Sequence, residues 1–140
     1  MTSMLRPTAL TTVLLAAAFG AACGKDTPTA PSAPEPVSVS ETFSDVLNPN
    51  GGRTHPFIAE RAGQVTAVIN ATAPNATAVV GLSLGTWNGI ACQIVLANDN
   101  ATAGQTLVAT ASNLGQFCVR VYDTGRLTEN TEYSVTVTHF

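Results

Sequence analysis

Turn-forming residues recur at short intervals along most of this sequence, and their spacing limits the secondary structure that can form between them. Gly, Pro, Asn and Asp favour turns because they tolerate positive φ, fix φ, or hydrogen-bond to the nearby backbone. They fall in seven clusters, at residues 48–52, 62–63, 74–75, 87–89, 98–100, 113–115 and 124–126. The windows between the clusters are broken by such residues or rich in β-branched ones, so no helix of useful length is expected. We therefore predict eight short strands, at residues 41–47, 55–60, 64–72, 78–86, 90–97, 105–111, 116–123 and 132–139.

Alternating apolar residues indicate which side of these strands faces the core, because successive side chains of a strand point to opposite faces. The clearest sets are Phe117, Val119 and Val121, then Tyr133, Val135 and Val137, then Val80, Leu82 and Leu84. The set Val65, Ala67 and Ile69 is less clear because Val68 interrupts its polar side. Together these patterns predict an all-β domain, a jelly-roll-like antiparallel β-sandwich of about eight strands.

The N-terminal segment has the features of an export signal. Arg6 gives residues 1–6 a weak positive charge, and the apolar run at residues 10–19 is short for a membrane span. Residues 20–23 read Gly-Ala-Ala-Cys, which resembles the lipobox of bacterial lipoproteins, although that family usually has Leu where Gly20 stands. The resemblance implies that Cys23 becomes a lipid-bearing mature N-terminus. The alternative is an ordinary signal peptide that Cys23 merely follows.

This interpretation divides the chain into three parts: a signal peptide at residues 1–22, a tether at 23–39 that begins with the lipidated Cys23, and a β-sandwich domain at 40–140. Repeated Pro makes the tether a semi-stiff spacer. By resemblance to lipoprotein sorting in two-membrane bacteria, Gly24 and Lys25 lack the Asp that commonly retains lipoproteins at the inner membrane. The expected location is therefore the cell envelope, at the outer membrane, with the lipid as the membrane anchor.

Two segments of the domain resemble the bacterial pre-peptidase C-terminal (PPC) domain. Residues 115–122 read GQFCVRVY and residues 133–137 read YSVTV, which are similar to its late and closing strands. The resemblance implies a non-catalytic sandwich that accompanies secreted enzymes. The Asp-x-Asp that often occurs in mid-domain is missing, since residues 85–89 read GTWNG. This departure weakens a calcium or substrate role.

Charge and motifs exclude several classes of function. Lys and Arg number only 6 and the formal net charge is −3, so nucleic acid is not an expected partner. The sequence carries no nucleophile-elbow, zinc-protease, paired-carboxylate or phosphate-loop motif, which predicts a protein that is not an enzyme and needs no cofactor. His55 and His139 are expected at an edge or on the surface. No metal site is predicted.

The two cysteines that remain after Cys23 are expected to form a disulfide. Cys92 and Cys118 would lie in an oxidising compartment if the chain is exported, and they lack the spacing of a redox or zinc motif. Cys118 alternates with Phe117 and Val119, so the bridge is predicted on an outer face of the sandwich.

Two further residues are possible ligand contacts. Trp87 stands in a turn, where its ring could stack on a sugar or peptide or else cap the core. Asp99 lies between two Asn residues in half of a calcium-loop pattern, which is also typical of a plain turn. The leading hypothesis is a lipid-anchored, non-catalytic binding module with a protein or polysaccharide ligand. The alternatives are an accessory domain for a secreted enzyme, a structural envelope protein, or a weak calcium- or carbohydrate-binding module.

Overall fold

The computed structural model describes residues 34–140, and this part of the chain is built from eight strands. They are β1 (Val39–Leu47), β2 (Gly52–Ala59), β3 (Gly63–Ala73), β4 (Val80–Trp87), β5 (Cys92–Ala101), β6 (Thr106–Ala111), β7 (Gly115–Tyr122) and β8 (Thr131–His139). All eight predicted strands are confirmed. Within residues 34–140 no helix could cross a membrane. The predicted signal peptide and Cys23 lie outside the described residues.

The strands form two four-stranded sheets in which every pairing is antiparallel. Sheet 1 has the order β1-β8-β3-β6, and sheet 2 has the order β2-β7-β4-β5. Most strands therefore pair with strands distant in sequence, whereas β4 and β5 form a hairpin. This order is that of a jelly roll, as the sequence predicts.

Strand ends differ from the predicted ones where a partner strand continues the pairing. β2 begins at Gly52, three residues before the predicted start, because Gly52 pairs with Tyr122 of β7. β5 continues to Ala101, which pairs with Val80 of β4. Hydrogen bonding to a neighbour thus extends strands into segments whose composition favours turns.

The inner faces of the two sheets form one apolar core. All members of the four predicted apolar sets are buried in this core, with the exception of Phe117. Phe117 is partly buried and packs against the core. The less certain set is confirmed too, since Val65, Ala67 and Ile69 are all buried. The alternating pattern therefore identified the core because each strand is covered on one face.

Aromatic and histidine side chains fill the seam between the sheets on the side of β1 and β2. The His55 ring stacks on Phe43 with 4.8 Å between centroids, and its Nε2 is 2.7 Å from the Tyr133 hydroxyl oxygen. Burial lowers the pKa of His55, an effect that the Arg53 charge adds to and the Asp45 charge opposes. Asp45 and Arg53 form a partly exposed ion pair on the same two strands, with 3.4 Å between Arg53 Nε and Asp45 Oδ2.

His139 lies in the same seam, and its predicted place at an edge or on the surface is wrong. It is buried, its Nε2 is 2.9 Å from a Glu41 carboxylate oxygen, and its ring lies 5.1 Å from that of Phe57. The reason is that β8 is an inner strand of sheet 1, between β1 and β3, and His139 shares the core-facing side with Val137.

Candidate binding face on the second sheet

The outer face of sheet 2 carries all four site residues predicted within residues 34–140. Val119 and Val121 of β7 and Leu82 and Leu84 of β4 point into the core. The residues that alternate with them therefore point outward. Cys92, Cys118, Trp87 and Asp99 are on this outward side, as the contacts below show.

The Cys92–Cys118 disulfide is present, and it lies on the outer face as the alternation predicts. Its Cα atoms are 5.8 Å apart, although β4 lies between β5 and β7 in the sheet. The crossing point is Gly85, which pairs with Cys118. A Cβ on Gly85 would collide with the backbone carbonyl of Gln93, so β5 passes close over β4 at this position. Glycine is required there because any side chain would push the edge strand away.

Three polar side chains cross the other end of the same face and form the Arg120–Tyr122–Asp99 strip. The Tyr122 hydroxyl donates a hydrogen bond to Asp99 Oδ1. The Tyr122 ring lies over Gly81, where a Cβ would collide with the ring. The Arg120 guanidinium lies over Gly52, with Nη2 2.7 Å from the place of a Cβ. Both side chains lie low across the sheet because glycines leave room beneath them.

The strip joins a cation, an aromatic ring and a carboxylate in one row. Arg120 Cζ is 5.8 Å from the centre of the Tyr122 ring, within reach of a cation–π contact. Desolvation and the hydrogen bond to Asp99 raise the pKa of Tyr122 to about 12, so the phenol stays protonated at neutral pH. Within residues 34–140 the Arg120 guanidinium makes no ion pair and no side-chain hydrogen bond. No side chain or carboxylate among the described residues therefore occupies its N–H donors.

Trp87 and Asp99 are on the same face but far apart. Trp87 ends β4 opposite Cys92, whereas Asp99 lies near Gly81 at the start of that strand. The two ends are six residue steps apart along β4, which corresponds to about 20 Å at the usual rise of a strand. Asp99 lies instead in one row with Tyr122 and Arg120, and neither of these two was predicted from the sequence as a site residue. The signal was available, because both alternate with the recognised core residues Val119 and Val121.

Side-chain oxygens in the segment around Asp99 accept hydrogen bonds from groups of the protein itself. Asn98 Oδ1 accepts a hydrogen bond from the Asn100 backbone N–H at 3.0 Å, and Asp99 accepts from Tyr122. Across residues 34–140 no group of three or more His, Cys, Asp or Glu side chains is placed to hold a metal ion.

A separate apolar groove of about 430 Å³ opens near β5 and β6, the other pair of edge strands. Leu84, Val95, Ala109 and Phe117 contribute to its lining, and none of its lining residues is ionisable. The groove can therefore pack against another apolar surface.

No family model matches the chain, and no curated protein matches it. Among solved structures it is similar to the Yersinia pseudotuberculosis-derived mitogen, with a TM-score of 0.55, 18% identity, and coverage of 74% of this chain and 88% of the mitogen. It is also similar to a protein from the disulfide-linked pili of Bacillus endospore appendages, with a TM-score of 0.39, 10% identity, and coverage of 74% and 86%. The first likeness shows the fold alone. The resemblance to the PPC domain stays a prediction.

Proposed function

We propose that this chain is an exported, lipid-anchored, non-catalytic binding module of the cell envelope, and that its outer face on sheet 2 binds an acidic polysaccharide. The observation that carries the ligand class is the Arg120–Tyr122–Asp99 strip, in which Arg120, which makes no ion pair within residues 34–140, lies over an aromatic ring that is hydrogen-bonded to a carboxylate. The lipid anchor rests on Cys23 and the resemblance of residues 20–23 to a lipobox.

Each part of the strip suits one part of an acidic sugar. The face of a sugar ring can stack on Tyr122, whose position is fixed by Asp99 and by Gly81 beneath it. Arg120 can bind a sugar carboxylate with two parallel N–H donors. Asp99 retains lone pairs that can accept hydrogen bonds from sugar hydroxyls. A neutral sugar would leave the Arg120 charge unmatched, so the strip favours an acidic one.

The ligand is tested by affinity electrophoresis of the chain from Gly24 onward, which contains every described strand, in gels containing polygalacturonate or neutral dextran. Polygalacturonate should retard the protein and dextran should not. Arg120→Gln should weaken the retardation by about 10-fold or more, because a hydrogen-bonded charge pair contributes about 1.5–3 kcal/mol. Arg126→Gln is the matched control, since it removes the same charge from an exposed loop.

Equal retardation of the Arg120→Gln and Arg126→Gln proteins would overturn the assignment of the strip, because the attraction would then depend on charge alone. Absence of retardation by polygalacturonate would overturn the ligand class.

The anchor is tested separately in the full chain, expressed in a two-membrane bacterial host. The wild-type protein should sediment with membranes and partition into detergent, and Cys23→Ala should release it into the soluble fraction because the lipid is its proposed anchor. Membrane attachment of the Cys23→Ala protein would contradict the lipoprotein proposal without bearing on the strip.

A further inference from the structure

The free edge of β5 is long, apolar and nearly uncharged. β5 is the last strand of sheet 2, and its side chains at Ile94, Val95 and Leu96 are 49%, 76% and 37% exposed. Its one charged residue, Asp99, lies near its end. Proteins usually protect an edge strand with charges, proline or short length, because an open edge pairs with other strands.

The other three edge strands carry such protection. β1 has Glu41 and Asp45, and β2 has Arg53 and Pro56. β6 is only six residues long. Edge β5 is bulged against β4, but it alone among the four edges combines ten residues, exposed apolar side chains at its centre and a single charge near its end. This combination favours a strand that is covered by another strand.

A bulge in β5 sets which of its side chains share a face. The register with β4 shifts between Leu84 and Gly85, so that Leu84 pairs with Leu96 and Gly85 with Ile94, and Val95 is the extra residue. Leu96 therefore faces inward with the core residue Leu84, and Val95 faces the same side because it lines the apolar groove. Ile94 faces outward with Gly85. Two adjacent apolar side chains thus point to one side of the edge.

We infer that β5 pairs antiparallel with β5 of a second copy of this chain, about a two-fold axis perpendicular to the sheet. The register that fits opposes Val95 to Leu96 of the partner subunit, and Ile94 to Ala97 of the partner subunit. Gln93 then opposes Asn98 of the partner subunit, and every opposed pair lies on a common face, as antiparallel pairing demands. Val95 and Leu96 both face inward, Gln93 and Asn98 both inward, and Ile94 and Ala97 both outward.

The strand is complementary to itself in chemistry as well as in register. Because the axis repeats each opposition, four apolar pairs occupy the centre, two of Val95 with Leu96 and two of Ile94 with Ala97, and the amide pairs of Gln93 with Asn98 flank them. Asp99 opposes the Cys92 position of the partner subunit rather than another carboxylate, so no like charges meet. A two-fold contact of this kind closes on itself, which explains how an apolar edge strand can pair without open-ended assembly.

The dimer would join two copies of sheet 2 into one eight-stranded sheet. Because the axis is perpendicular to the sheet, both Arg120–Tyr122–Asp99 strips lie on the same outer face. The inference rests on the β5 edge and does not depend on the proposed ligand, although two strips on one face would increase avidity for a polymer.

The test is sedimentation velocity of the chain from Gly24 onward, exported so that its disulfide forms, between about 1 and 100 μM, which resolves a dissociation constant in the micromolar range. The wild-type protein should sediment as a dimer at the upper concentration. Val95→Lys should raise the dissociation constant by about 30-fold or more, because two unpaired charges would be buried near the axis. The matched control is Val108→Lys on edge β6, where the valine is 47% exposed, and it should leave the dimer intact.

Hydrogen exchange of the wild-type chain gives a second measurement that needs no variant. The backbone N–H groups of β5 at residues 94–97 should exchange more slowly at the higher concentration, whereas those of β6 should not change. A monomer at all concentrations, an open-ended polymer, or a dimer with unprotected β5 amides would each overturn the inference.

Discussion

Breaking the Cys92–Cys118 disulfide should lower the free energy of unfolding by about 3.5 kcal/mol at 25 °C. The bridge joins residues 26 apart in sequence. In the chain-entropy model a closed loop of that length removes about 12 cal/mol/K of conformational entropy from the unfolded chain, which corresponds to this free energy. Small domains have total stabilities of about 5–15 kcal/mol, so the loss is a large fraction. The bridge also fixes edge strand β5 to β7 across Gly85, which raises its importance for both proposed surfaces.

The assay is urea unfolding of the chain from Gly24 onward, in which Cys92 and Cys118 are the remaining cysteines. The oxidised protein should show no free thiol after denaturation. Reduction should lower the unfolding midpoint with little change in the native spectrum, and the double variant Cys92→Ser/Cys118→Ala should behave like the reduced protein. Two titrating thiols in protein exported without reductant, or a stability change under about 1 kcal/mol on reduction, would refute the reasoning.

Three other changes test the physical account of the fold. Gly85→Ala should destabilise the protein by about 2–3 kcal/mol in urea unfolding, because its Cβ meets the Gln93 backbone. Gly81→Ala should cost less because its Cβ meets the Tyr122 ring, which can rotate away by giving up its hydrogen bond to Asp99, whereas the backbone of β5 cannot. Equal costs would contradict this explanation. His55 has a lowered pKa in the folded state, so the unfolded chain binds more protons just below pH 6.5. Stability should therefore fall as the pH is lowered from about 6.5 towards 5, and His55→Gln should flatten that slope, whereas an unchanged slope would remove His55 as its cause. Asp123→Ala should lower the free energy of unfolding by about 1–2 kcal/mol, measured by thermal unfolding. The reason is that the Asp123 carboxylate accepts hydrogen bonds from the backbone N–H groups of residues 50, 125, 126 and 127. Asp123→Asn should cost less, and an Asp123→Ala protein of unchanged stability would contradict that role.

The Asp123 carboxylate also has a pKa that reflects these bonds. Desolvation raises the pKa of Asp123, but the hydrogen bonds from the backbone outweigh it, so the pKa is below its ordinary value. The lowered pKa means that folding stabilises the charged form of Asp123. The contribution of Asp123 to the stability of the protein is therefore present above the pKa of the unfolded chain, near 4, and is lost as the pH falls through the pKa of the folded protein.

Local chemistry determined the strands, the core and the disulfide of this protein. Turn residues divided the chain into segments too short for helices, and alternation assigned Val119, Val121, Val135 and Val137 to the core. The same alternation placed Cys118 on an outer face, where the bridge to Cys92 lies. These features depend on neighbours in sequence and on the period of a strand, so they can be predicted from the sequence.

Only the tertiary structure decided which distant residues meet. The burial of His139 depends on β8 being an inner strand, a fact of strand order that its own sequence does not contain. Asp99 was separated from Trp87 and joined to Tyr122 and Arg120 because β5 and β7 flank β4. The open edge of β5 arises in the same way. Strand order is set by non-local pairing, whose free energy depends on the whole packed sandwich and not on any local pattern.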